Sequence, residues 1–267
     1  MQRVVITGAA HGLGAALARR FARAGAAVAV LDVDAAAAEG RARALAADGT
    51  EAIGLGCDVT APADCLRAID AVIHRWGGFE VLVNNAGITH LGLLRDTEVE
   101  VLRRVMEVNF FGAVNCTLAA LPELRARRGR VAAISSVAGF APLATRGGYV
   151  ASKHALQGFF ETLRSEHLED GLQVTLVCPS FVRTDIGRRA LGPDGNPAAV
   201  TRTGVGREIE PDVAAETIFR GIEAGRRLVW VGREARLAWW LAHLAPRLYE
   251  RLMIRRTMGT PGAGQGV

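Results

Sequence analysis

Short apolar runs alternate with helical patterns through the first 232 residues of the chain. Seven runs are typical of β-strands, in order RVVITG, AAVAVLD, EAIGLGCDV, FEVLVNN, GRVAAISS, LQVTLVCP and RRLVWVG. Several are continuously apolar, which is the pattern of strands buried on both faces of a parallel sheet. The alternation predicts an α/β, doubly wound domain with a seven-stranded, mostly parallel sheet and helices on both faces.

Helical patterns fill most intervals between these runs. They are expected at about residues 12–24, in a stretch ending near 47, and at about 63–75, 98–127, 149–169 and 212–224. Residues 181–210 are instead long and irregular, and they follow the sixth run. A loop of this length is either a functional lid or a disordered insert, and ligands bind beyond the carboxyl ends of parallel strands. We therefore expect a substrate lid at 181–210 within a domain of residues 1–232.

Residues 233–258 have leucine and tryptophan at helical spacing with arginine around them. The pattern predicts an amphipathic basic helix, too short and too charged to span a membrane. It leaves two interpretations open: packing on the domain, on a partner subunit or over the pocket, or peripheral contact of residues 233–256 with an anionic membrane. The glycine-rich residues 259–267 are predicted to form a disordered tail.

The positive charge is local. The net charge is +5, and the segment Arg226–Arg256 contains eight arginines and two glutamates, so the rest of the chain is near neutral. This distribution argues against a nucleic-acid partner. The first residues run directly into a strand pattern, and no window has the ~18 apolar residues of a membrane span. We expect a cytoplasmic protein that is peripheral to a membrane only if the basic helix binds one.

Four cysteines occur, with no C-x-x-C pair and no histidine at zinc spacing. They are predicted to be reduced and mostly buried thiols, and no metal site is expected.

The turn after the first strand is rich in glycine. In VVITGAAHGLG, Gly8, Gly12 and Gly14 stand between a strand and a helix. Glycines there allow the backbone to approach a pyrophosphate, while the helix N-terminus supplies N–H donors. The alternative is a turn that needs glycine only for packing.

An acidic residue ends the second strand. Asp32 at this position can accept hydrogen bonds from both ribose hydroxyls of adenosine, and it would repel a 2′-phosphate. It therefore favours NAD over NADP, with His11 as a weak indication of the opposite preference. An ordinary capping aspartate is the alternative.

The third and fourth strands also end in polar residues. Asp58 in GCDVT is placed to hydrogen-bond an adenine. Asn84 and Asn85 in LVNNAG are expected to hold neighbouring loops by side-chain hydrogen bonds to the backbone, a simple turn being the alternative.

Lys153 is the only lysine in a chain with 31 arginines, and Tyr149 is one of two tyrosines. Their i, i+4 spacing puts both on one face of a helix. A phenol has a pKa near ~10, and a neighbouring ammonium lowers it toward working pH. A hydroxyl from ISS, at the end of the fifth strand, could hold a substrate oxygen beside the phenol. A core or surface tyrosine is the alternative, and the unique lysine weighs against it.

Together these motifs resemble the short-chain dehydrogenase/reductase family. The match covers residues 3–232 and includes T-G-x-x-x-G-x-G, the strand-end aspartate, D-V, N-N-A-G, a helix asparagine, a serine and Y-x-x-x-K in the family's order. The glycine spacing is that of the one-domain branch. The resemblance implies a Rossmann-type sheet and reversible hydride transfer between a nicotinamide cofactor and a secondary alcohol or ketone.

The resemblance also implies residue roles. Tyr149 is the implied general acid/base, and Ser136, 13 residues before it, orients the substrate oxygen. Lys153 binds the nicotinamide ribose and lowers the Tyr149 pKa, while Asn109 holds a water of the proton relay. The implied cofactor contacts are Thr7, Gly8, His11, Gly12, Leu13, Gly14, Asp32, Asp58, Val59, Asn85, Ala86, Gly87, Tyr149, Lys153, Pro179, Val182 and Thr184.

The chain departs from the family pattern after strand six, where Ser180 replaces the usual glycine. Apolar stretches at 88–94 and 137–143 suggest a hydrophobic substrate that is steroid-like, lipid-like or aryl. The alternatives are an NADPH-dependent ketone or 3-oxoacyl-thioester reductase and a non-enzymatic dinucleotide-binding protein. Relatives are commonly homodimers or homotetramers, and the same is expected here.

Overall fold

A computed structural model describes residues 1–199 and 208–257, and at its centre lies a sheet of seven parallel strands. The strands are β1 (Arg3–Thr7), β2 (Ala27–Asp32), β3 (Ala52–Gly56), β4 (Val81–Asn84), β5 (Arg130–Ile134), β6 (Gln173–Pro179) and β7 (Leu228–Val231). Their spatial order is β3-β2-β1-β4-β5-β6-β7. The predicted doubly wound, Rossmann-type sheet is therefore confirmed. The order of strands reverses between β1 and β4, the place where such sheets bind ligands.

Helices cover both faces of the sheet. They are α1 (Gly12–Arg23), α2 (Ala35–Ala47), α3 (Pro62–Trp76), α4 (Val99–Met106), α5 (Gly112–Ala126), α6 (Gly147–Glu166), α7 (Pro211–Glu223), α8 (Arg233–Leu244) and α9 (Pro246–Thr257). On one face α1, α2 and α7 form a core with alternate strand residues such as Val4 and Ile6. On the other face α3, α5 and α6 pack over the strand residues that lie between these in sequence, such as Val5. The central parts of most strands are apolar because both faces of the sheet are covered.

The helical pattern at 98–127 forms one continuous rod of three parts. Helix α4 leads into a π-helical turn at Glu107–Phe111, and α5 follows without a break. This rod, Val99–Ala126, has the length and hydropathy of a membrane span, although the sequence suggested none. Cys116 and Leu124 are fully buried against the second core. The rod thus forms a wall of the domain along one side, although only 39% of its apolar stretch is buried.

The C-terminal segment is two helices, and the prediction of one helix over residues 233–258 is wrong. Helix α8 ends before Ala245, which has φ −141° and ψ 59°, and α9 begins at Pro246. Proline has no N–H to continue the helical ladder, and its ring disfavours helical angles in the preceding residue. Helix α8 packs against β7 and against the short 3₁₀ turn at Val137–Gly139, so it is joined to the main domain.

The predicted lid at 181–210 is described up to residue 199 and from residue 208. These parts contain bends, turns and isolated bridges, which join Val182 to Ile209 and His90 to Leu191. The second bridge ties the segment to the loop after β4. The predicted tail at 259–267 lies outside the described residues.

Candidate active site

One large cavity lies beyond the carboxyl ends of the strands, with a volume of about 1070 Å³. Its walls come from the β1–α1 turn, the ends of β2 to β6, the start of α6 and the segment after β6. The cavity therefore spans the switch point between β1 and β4, where the fold predicts a ligand.

The β1–α1 turn is shaped by glycines that no other residue could replace. Gly8 has φ 61°, and a Cβ there would stand 2.8 Å from the Cα of Ala86. A Cβ on Gly14 would stand 2.2 Å from the carbonyl oxygen of Gly8. The turn thus keeps its backbone bare beside the cavity at the N-terminus of α1. This is the geometry that a pyrophosphate requires.

Thr7 and Asn85 fasten this turn to the end of β4. The Thr7 hydroxyl accepts hydrogen bonds from the backbone nitrogens of Asn85 (3.0 Å) and Ala86 (3.1 Å). The Asn85 amide donates to the carbonyls of Thr7 (3.0 Å) and Gly8 (2.9 Å). The predicted pinning role of the asparagine pair is confirmed for Asn85. Asn84 instead points into the core, where it donates to the Thr117 hydroxyl at 2.8 Å.

Asp32 lies at the end of β2, facing the same turn. Its carboxylate accepts hydrogen bonds from the backbone nitrogens of Ala10 (3.1 Å) and Asp34 (3.2 Å). Arg41 of α2 approaches from the other side and donates to the Ala10 carbonyl at 3.1 Å. The Asp32 carboxylate thus binds the backbone N–H of Ala10, and the Arg41 guanidinium binds the carbonyl of the same residue. Asp32 lines the cavity, whereas Arg41 contacts this turn without lining the cavity.

Asp58 and Val59 line the far end of the cavity. The Asp58 carboxylate accepts from the backbone nitrogen (2.9 Å) and the hydroxyl (2.8 Å) of Thr60, which closes a tight turn after β3. The Val59 carbonyl accepts from the Asn115 amide at 3.0 Å. The turn is held rigid from both sides, as a wall for an adenine ring requires.

Ser136 and Tyr149 meet on the opposite side of the cavity. Ser136 precedes the 3₁₀ turn after β5, and Tyr149 lies in the first turn of α6. Burial raises the pKa of the Tyr149 phenol, while the Ser136 hydroxyl and the Arg146 guanidinium act to lower it. Burial outweighs the other two influences, so the pKa of the phenol lies above its ordinary value. A hydroxyl and a phenol side by side can hold one substrate oxygen.

Lys153 lies one helical turn after Tyr149 and is only 5% exposed. Its ammonium donates to the Ile134 carbonyl at 2.8 Å, and burial lowers its pKa to about 8. The nitrogen lies 5.6 Å from the centroid of the Tyr149 ring. The cation that acts on the Tyr149 pKa in this structure is Arg146, and the effect of Lys153 on it stays a prediction.

Asn109 occupies the middle of the π-helical turn and is 1% exposed. Its amide donates to the Ile88 carbonyl and the Ser152 hydroxyl, each at 3.0 Å, and its oxygen accepts from the Ile88 nitrogen at 2.8 Å. Ser152 in turn donates to the Tyr149 carbonyl. Asn109 therefore links the loop after β4 to the helix that carries the tyrosine. π-Helical turns of this kind are common at functional sites.

Pro179 at the end of β6 closes the cavity together with Val182 and Thr184 of the segment that follows. Ser180, which departs from the family pattern, does not have a positive φ angle, so its backbone is unstrained. Its buried hydroxyl finds no hydrogen-bond partner among the described residues. It faces Gly232, where a Cβ would stand 2.5 Å from the hydroxyl oxygen. The serine is accommodated because the residue opposite is glycine.

A family model described as short chain dehydrogenase matches residues 2–192. The chain belongs to the short-chain dehydrogenase/reductase family. It is 36% identical to dehydrogenase/reductase SDR family member 7B of Bos taurus, over 95% of this chain and 80% of that protein. It is 33% identical to 11-beta-hydroxysteroid dehydrogenase A of Sesamum indicum, over 97% of this chain and 77% of that protein.

Solved structures agree. A short chain dehydrogenase/reductase from Burkholderia phymatum in complex with NAD superposes with a TM-score of 0.82 at 26% identity, covering 92% of this chain and 94% of that one. An alcohol dehydrogenase from Thermococcus sibiricus complexed with 5-hydroxy-NADP superposes with a TM-score of 0.76 at 25% identity, covering 86% and 96%. As a member of this family the chain is an oxidoreductase with a dinucleotide-binding fold.

Most of the predicted short-chain dehydrogenase/reductase residues line the one cavity. They are Gly8, His11, Gly12, Leu13, Asp32, Asp58, Val59, Asn85, Ala86, Gly87, Ser136, Tyr149, Lys153, Pro179, Val182 and Thr184. Three predicted residues lie behind the wall instead, namely Thr7, Gly14 and Asn109. They contact the turns and helices that carry the cavity-lining residues and hold those residues in place.

Two cations near the cavity were missed by the sequence reasoning. Arg41 reaches the glycine turn from α2. Arg146 lines the cavity beside Tyr149, and its guanidinium donates to the Thr89 hydroxyl at 2.8 Å. Burial lowers the Arg146 pKa, and none of the ion pairs found in residues 1–199 and 208–257 includes it. Its position three residues before Tyr149, on the same helical face, was the available signal.

The four cysteines are free and buried, as predicted. Three of them, Cys57, Cys65 and Cys116, place their sulfur atoms within 4.8 Å of one another near the Asp58 end of the cavity. The Cys65 and Cys116 sulfurs are 3.3 Å apart, well beyond the ~2.05 Å of a disulfide bond. The sequence spacing did not indicate this cluster, because its members come from three separate elements.

Proposed function

We propose that this short-chain dehydrogenase/reductase interconverts a secondary alcohol and a ketone, with Tyr149 as the general acid/base. The observation that supports the proposal is the group of Tyr149, Ser136 and Lys153 on one wall of the dinucleotide-sized cavity. The glycine turn fits a pyrophosphate, because Gly8 and Gly12 have positive φ angles and present bare backbone to the cavity at the N-terminus of α1. When bound, the nicotinamide ring accepts or donates the hydride.

The chain's own groups account for the proton. In alcohol oxidation the ionised Tyr149 phenol takes the hydroxyl proton of the substrate. The carbinol hydrogen leaves with both electrons of its C–H bond, as a hydride. In ketone reduction the neutral phenol donates that proton to the oxygen. Ser136 holds the reacting oxygen within reach of the phenol, while the Lys153 ammonium binds the ribose of the cofactor.

Asn109 serves the same reaction as a positioning residue. Both of its amide hydrogens and one lone pair of its oxygen are used by Ile88 and Ser152. One acceptor lone pair of the side chain is left for the relay water that the family resemblance implies. The main role of Asn109 is to hold the loop after β4 against α6.

The decisive experiment replaces Tyr149 by phenylalanine, which removes the acid/base oxygen and keeps the ring. Turnover should fall by about two to four orders of magnitude, the usual contribution of general acid–base catalysis, while dinucleotide binding persists. Tyr249→Phe is a matched control, because Tyr249 is the other tyrosine and is 4% exposed in α9, remote in sequence from the site. Wild-type turnover in Tyr149→Phe would refute the mechanism.

We propose NAD as the preferred cofactor, because the Asp32 carboxylate would repel a 2′-phosphate. The second candidate, an NADPH-dependent reductase, is favoured by Arg41 and His11 beside the same turn. Titrating the protein fluorescence with NADH and NADPH distinguishes them. For the first candidate NADH binds more tightly and Asp32→Ala erases the preference. For the second candidate NADPH binds more tightly and Arg41→Ala erases it.

We propose a hydrophobic substrate, steroid-like, lipid-like or aryl. Apolar side chains that include Ile88, Leu143, Phe181 and Ile186 line the substrate side of the cavity. The likeness to a plant 11-beta-hydroxysteroid dehydrogenase supports the steroid-like choice. A screen of NAD reduction over secondary alcohols should rank steroid and long-chain alcohols above short polar ones. Equal rates across that series would contradict this substrate class, and so would an absence of turnover with any hydrophobic alcohol.

A further inference from the structure

Helices α8 and α9 expose a row of large apolar side chains. Leu237, Trp240 and Leu244 recur at i, i+3 and i+7 on α8, and Leu248 and Leu252 at i and i+4 on α9. Such spacings put each set on one face of its helix. These five, hereafter the C-terminal surface, are between 38% and 75% exposed. The domain therefore does not cover the apolar faces of its last two helices, unlike those of α1, α3 and α7.

Positive charge without acidic partners surrounds this row. None of the salt bridges found in the described part of the chain includes the exposed arginines of the two helices, which are Arg233, Arg236, Arg247, Arg251 and Arg255. Glu234 and Glu250 are the acidic residues of the two helices, so these exposed side chains sum to +3. Some exposed arginines elsewhere, such as Arg43, pair with acidic residues, while others, such as Arg104 and Arg189, have no acidic partner among the described residues. The two helices thus expose large apolar side chains and arginines together.

Tryptophan is concentrated at the same place. Trp230, Trp239 and Trp240 are three of the four tryptophans in the chain, and with Leu228 and Arg236 they line a cleft of about 410 Å³ between β7 and α8. Tryptophan combines a large apolar ring with a polar N–H, and it is enriched where proteins meet the interfacial zone of a bilayer. Of the three, Trp240 is the one exposed on the C-terminal surface, and it gives that surface a residue typical of an interfacial helix.

We infer that the C-terminal surface binds the face of an anionic lipid membrane, with its apolar row inserted among the headgroups. Charge complementarity carries this choice of partner. A second copy of the chain would bring arginine against arginine in a two-fold pairing, because such an interface places the same patch on both subunits. An anionic bilayer satisfies the apolar row and the arginines at once. The inference does not depend on the proposed function.

An aromatic cluster joins this surface to the wall of the active site. The Phe140 ring packs edge-on against Trp230 with centroids 5.4 Å apart, and it lies 6.3 Å from the His243 ring of α8. Phe140 directly follows the 3₁₀ turn that Ser136 begins. A membrane-bound molecule would thus hold its Ser136 segment close to the bilayer, the phase in which hydrophobic alcohols dissolve.

The test is co-sedimentation of the full chain with vesicles. One set is pure phosphatidylcholine and the other contains about 30% phosphatidylserine, the lipid class whose charge attracts basic segments. The wild-type chain should pellet with the anionic vesicles, remain in solution with the neutral ones, and be released as salt is raised. A wild-type chain that stays in solution with the anionic vesicles overturns the inference.

Two matched pairs of variants locate the surface. Leu244→Glu places a charge in the apolar row, and Leu168→Glu is its control at equal exposure, 75% against 74%. Arg247→Glu with Arg251→Glu reverses two charges of the surface, and Arg43→Glu with Arg75→Glu makes the same change of net charge on α2 and α3. Each arginine lost should weaken binding by about fivefold, and the controls should bind as wild type.

The other occupants give different results. If the C-terminal and control variants lose binding equally, the attraction is only the net charge of the chain and the inference is wrong. If vesicles bind nothing while Leu244→Glu reduces the mass measured by light scattering, the surface is an interface between copies and the inference is likewise wrong. Retained binding by Leu244→Glu and by the Arg247/Arg251 variant would equally contradict the inference. None of these readouts requires enzymatic activity.

Discussion

At the scale of single residues, Lys153 is the position where charge alone is not sufficient. The side chain is 5% exposed, its nitrogen is 2.8 Å from the Ile134 carbonyl, and a Cβ on Gly87 would lie 3.8 Å from it. A planar guanidinium is broader than an ammonium and cannot occupy this space without moving its neighbours. We expect Lys153→Arg to lower kcat/KM by about 100-fold, the cost of a misplaced reacting group.

The measurement is steady-state kinetics on the best alcohol from the substrate screen. Arg95→Lys is the reverse exchange at an exposed site, 80% accessible, and it should leave the rate unchanged. Activity of Lys153→Arg within about twofold of wild type would show that any cation serves at this position, against the argument from its size.

Arg146 gives a prediction for pH dependence. Burial raises the pKa of Tyr149 and the Arg146 cation opposes that rise. Alcohol oxidation needs the ionised phenol, so its rate increases as pH rises toward the phenol pKa. Arg146→Met removes the cation and should move this rising limb to higher pH, while Arg146→Lys should keep it near the wild-type position. The profile of kcat/KM against pH decides, and an unshifted limb in Arg146→Met contradicts the assignment.

The local spacing of residues determined which parts of the site could be predicted. Tyr149 and Lys153 lie one helical turn apart, and Asp32 ends an evident strand, so pattern and resemblance were enough. Arg41 reaches the glycine turn across 31 positions of sequence, and the sulfurs of Cys65 and Cys116 meet across 51. Contacts between separate elements depend on how those elements pack, and a single sequence gives no direct information about that packing.

At the scale of elements, the β1–α1 turn is where adding a single methyl group should disturb the structure most. Gly14→Ala would put a Cβ 2.2 Å from the Gly8 carbonyl, so the turn must move and its pyrophosphate site with it. Gly158→Ala is the control, because that glycine is also helical and an added Cβ meets nothing within 4 Å. It should stabilise α6 by up to about 1 kcal/mol, since alanine is the better helix former.

Thermal unfolding and dinucleotide titration measure both effects. Gly14→Ala should lower the melting temperature and lose binding, whereas Gly158→Ala should raise the melting temperature by about 2–4 °C and bind as before. Equal behaviour of the two variants would mean that the close approach of Gly14 to Gly8 does not govern this turn.

Two elements differ from their predicted form for different reasons. The break between α8 and α9 follows from Pro246, which cannot continue a helix. The helical spacing of leucines continues across the break, and the prediction followed that spacing instead of the proline. The π-helical turn at Glu107–Phe111 has no such signal. There Asn109 bonds to Ile88 and Ser152 on two other elements, and these contacts accompany the local change in helical pitch.

At the scale of the whole molecule, the sheet order could be anticipated because alternating strands and helices leave few right-handed arrangements. What pattern could not show is which faces stay open after folding. The rod Val99–Ala126 packs on α3 and α6 along one side, yet Val99, Phe111 and Leu118 are 59%, 44% and 54% exposed on it. This face has a different chemistry from the C-terminal surface, since its exposed large side chains are apolar without a cluster of unpaired arginines.

We expect a second copy of the chain to cover the exposed face of the rod, in line with the homodimer or homotetramer expected from the family resemblance. Burying apolar area of this kind stabilises an interface, and a two-fold axis would place equal faces together. Light scattering after size exclusion should give a mass of two or four chains. Leu118→Arg should reduce it, because two buried guanidinium groups would meet without partners. Leu66→Arg, 51% exposed on α3, is the control and should assemble as wild type. A monomeric wild-type chain, or equal dissociation by both variants, would place the subunit contact elsewhere or remove it.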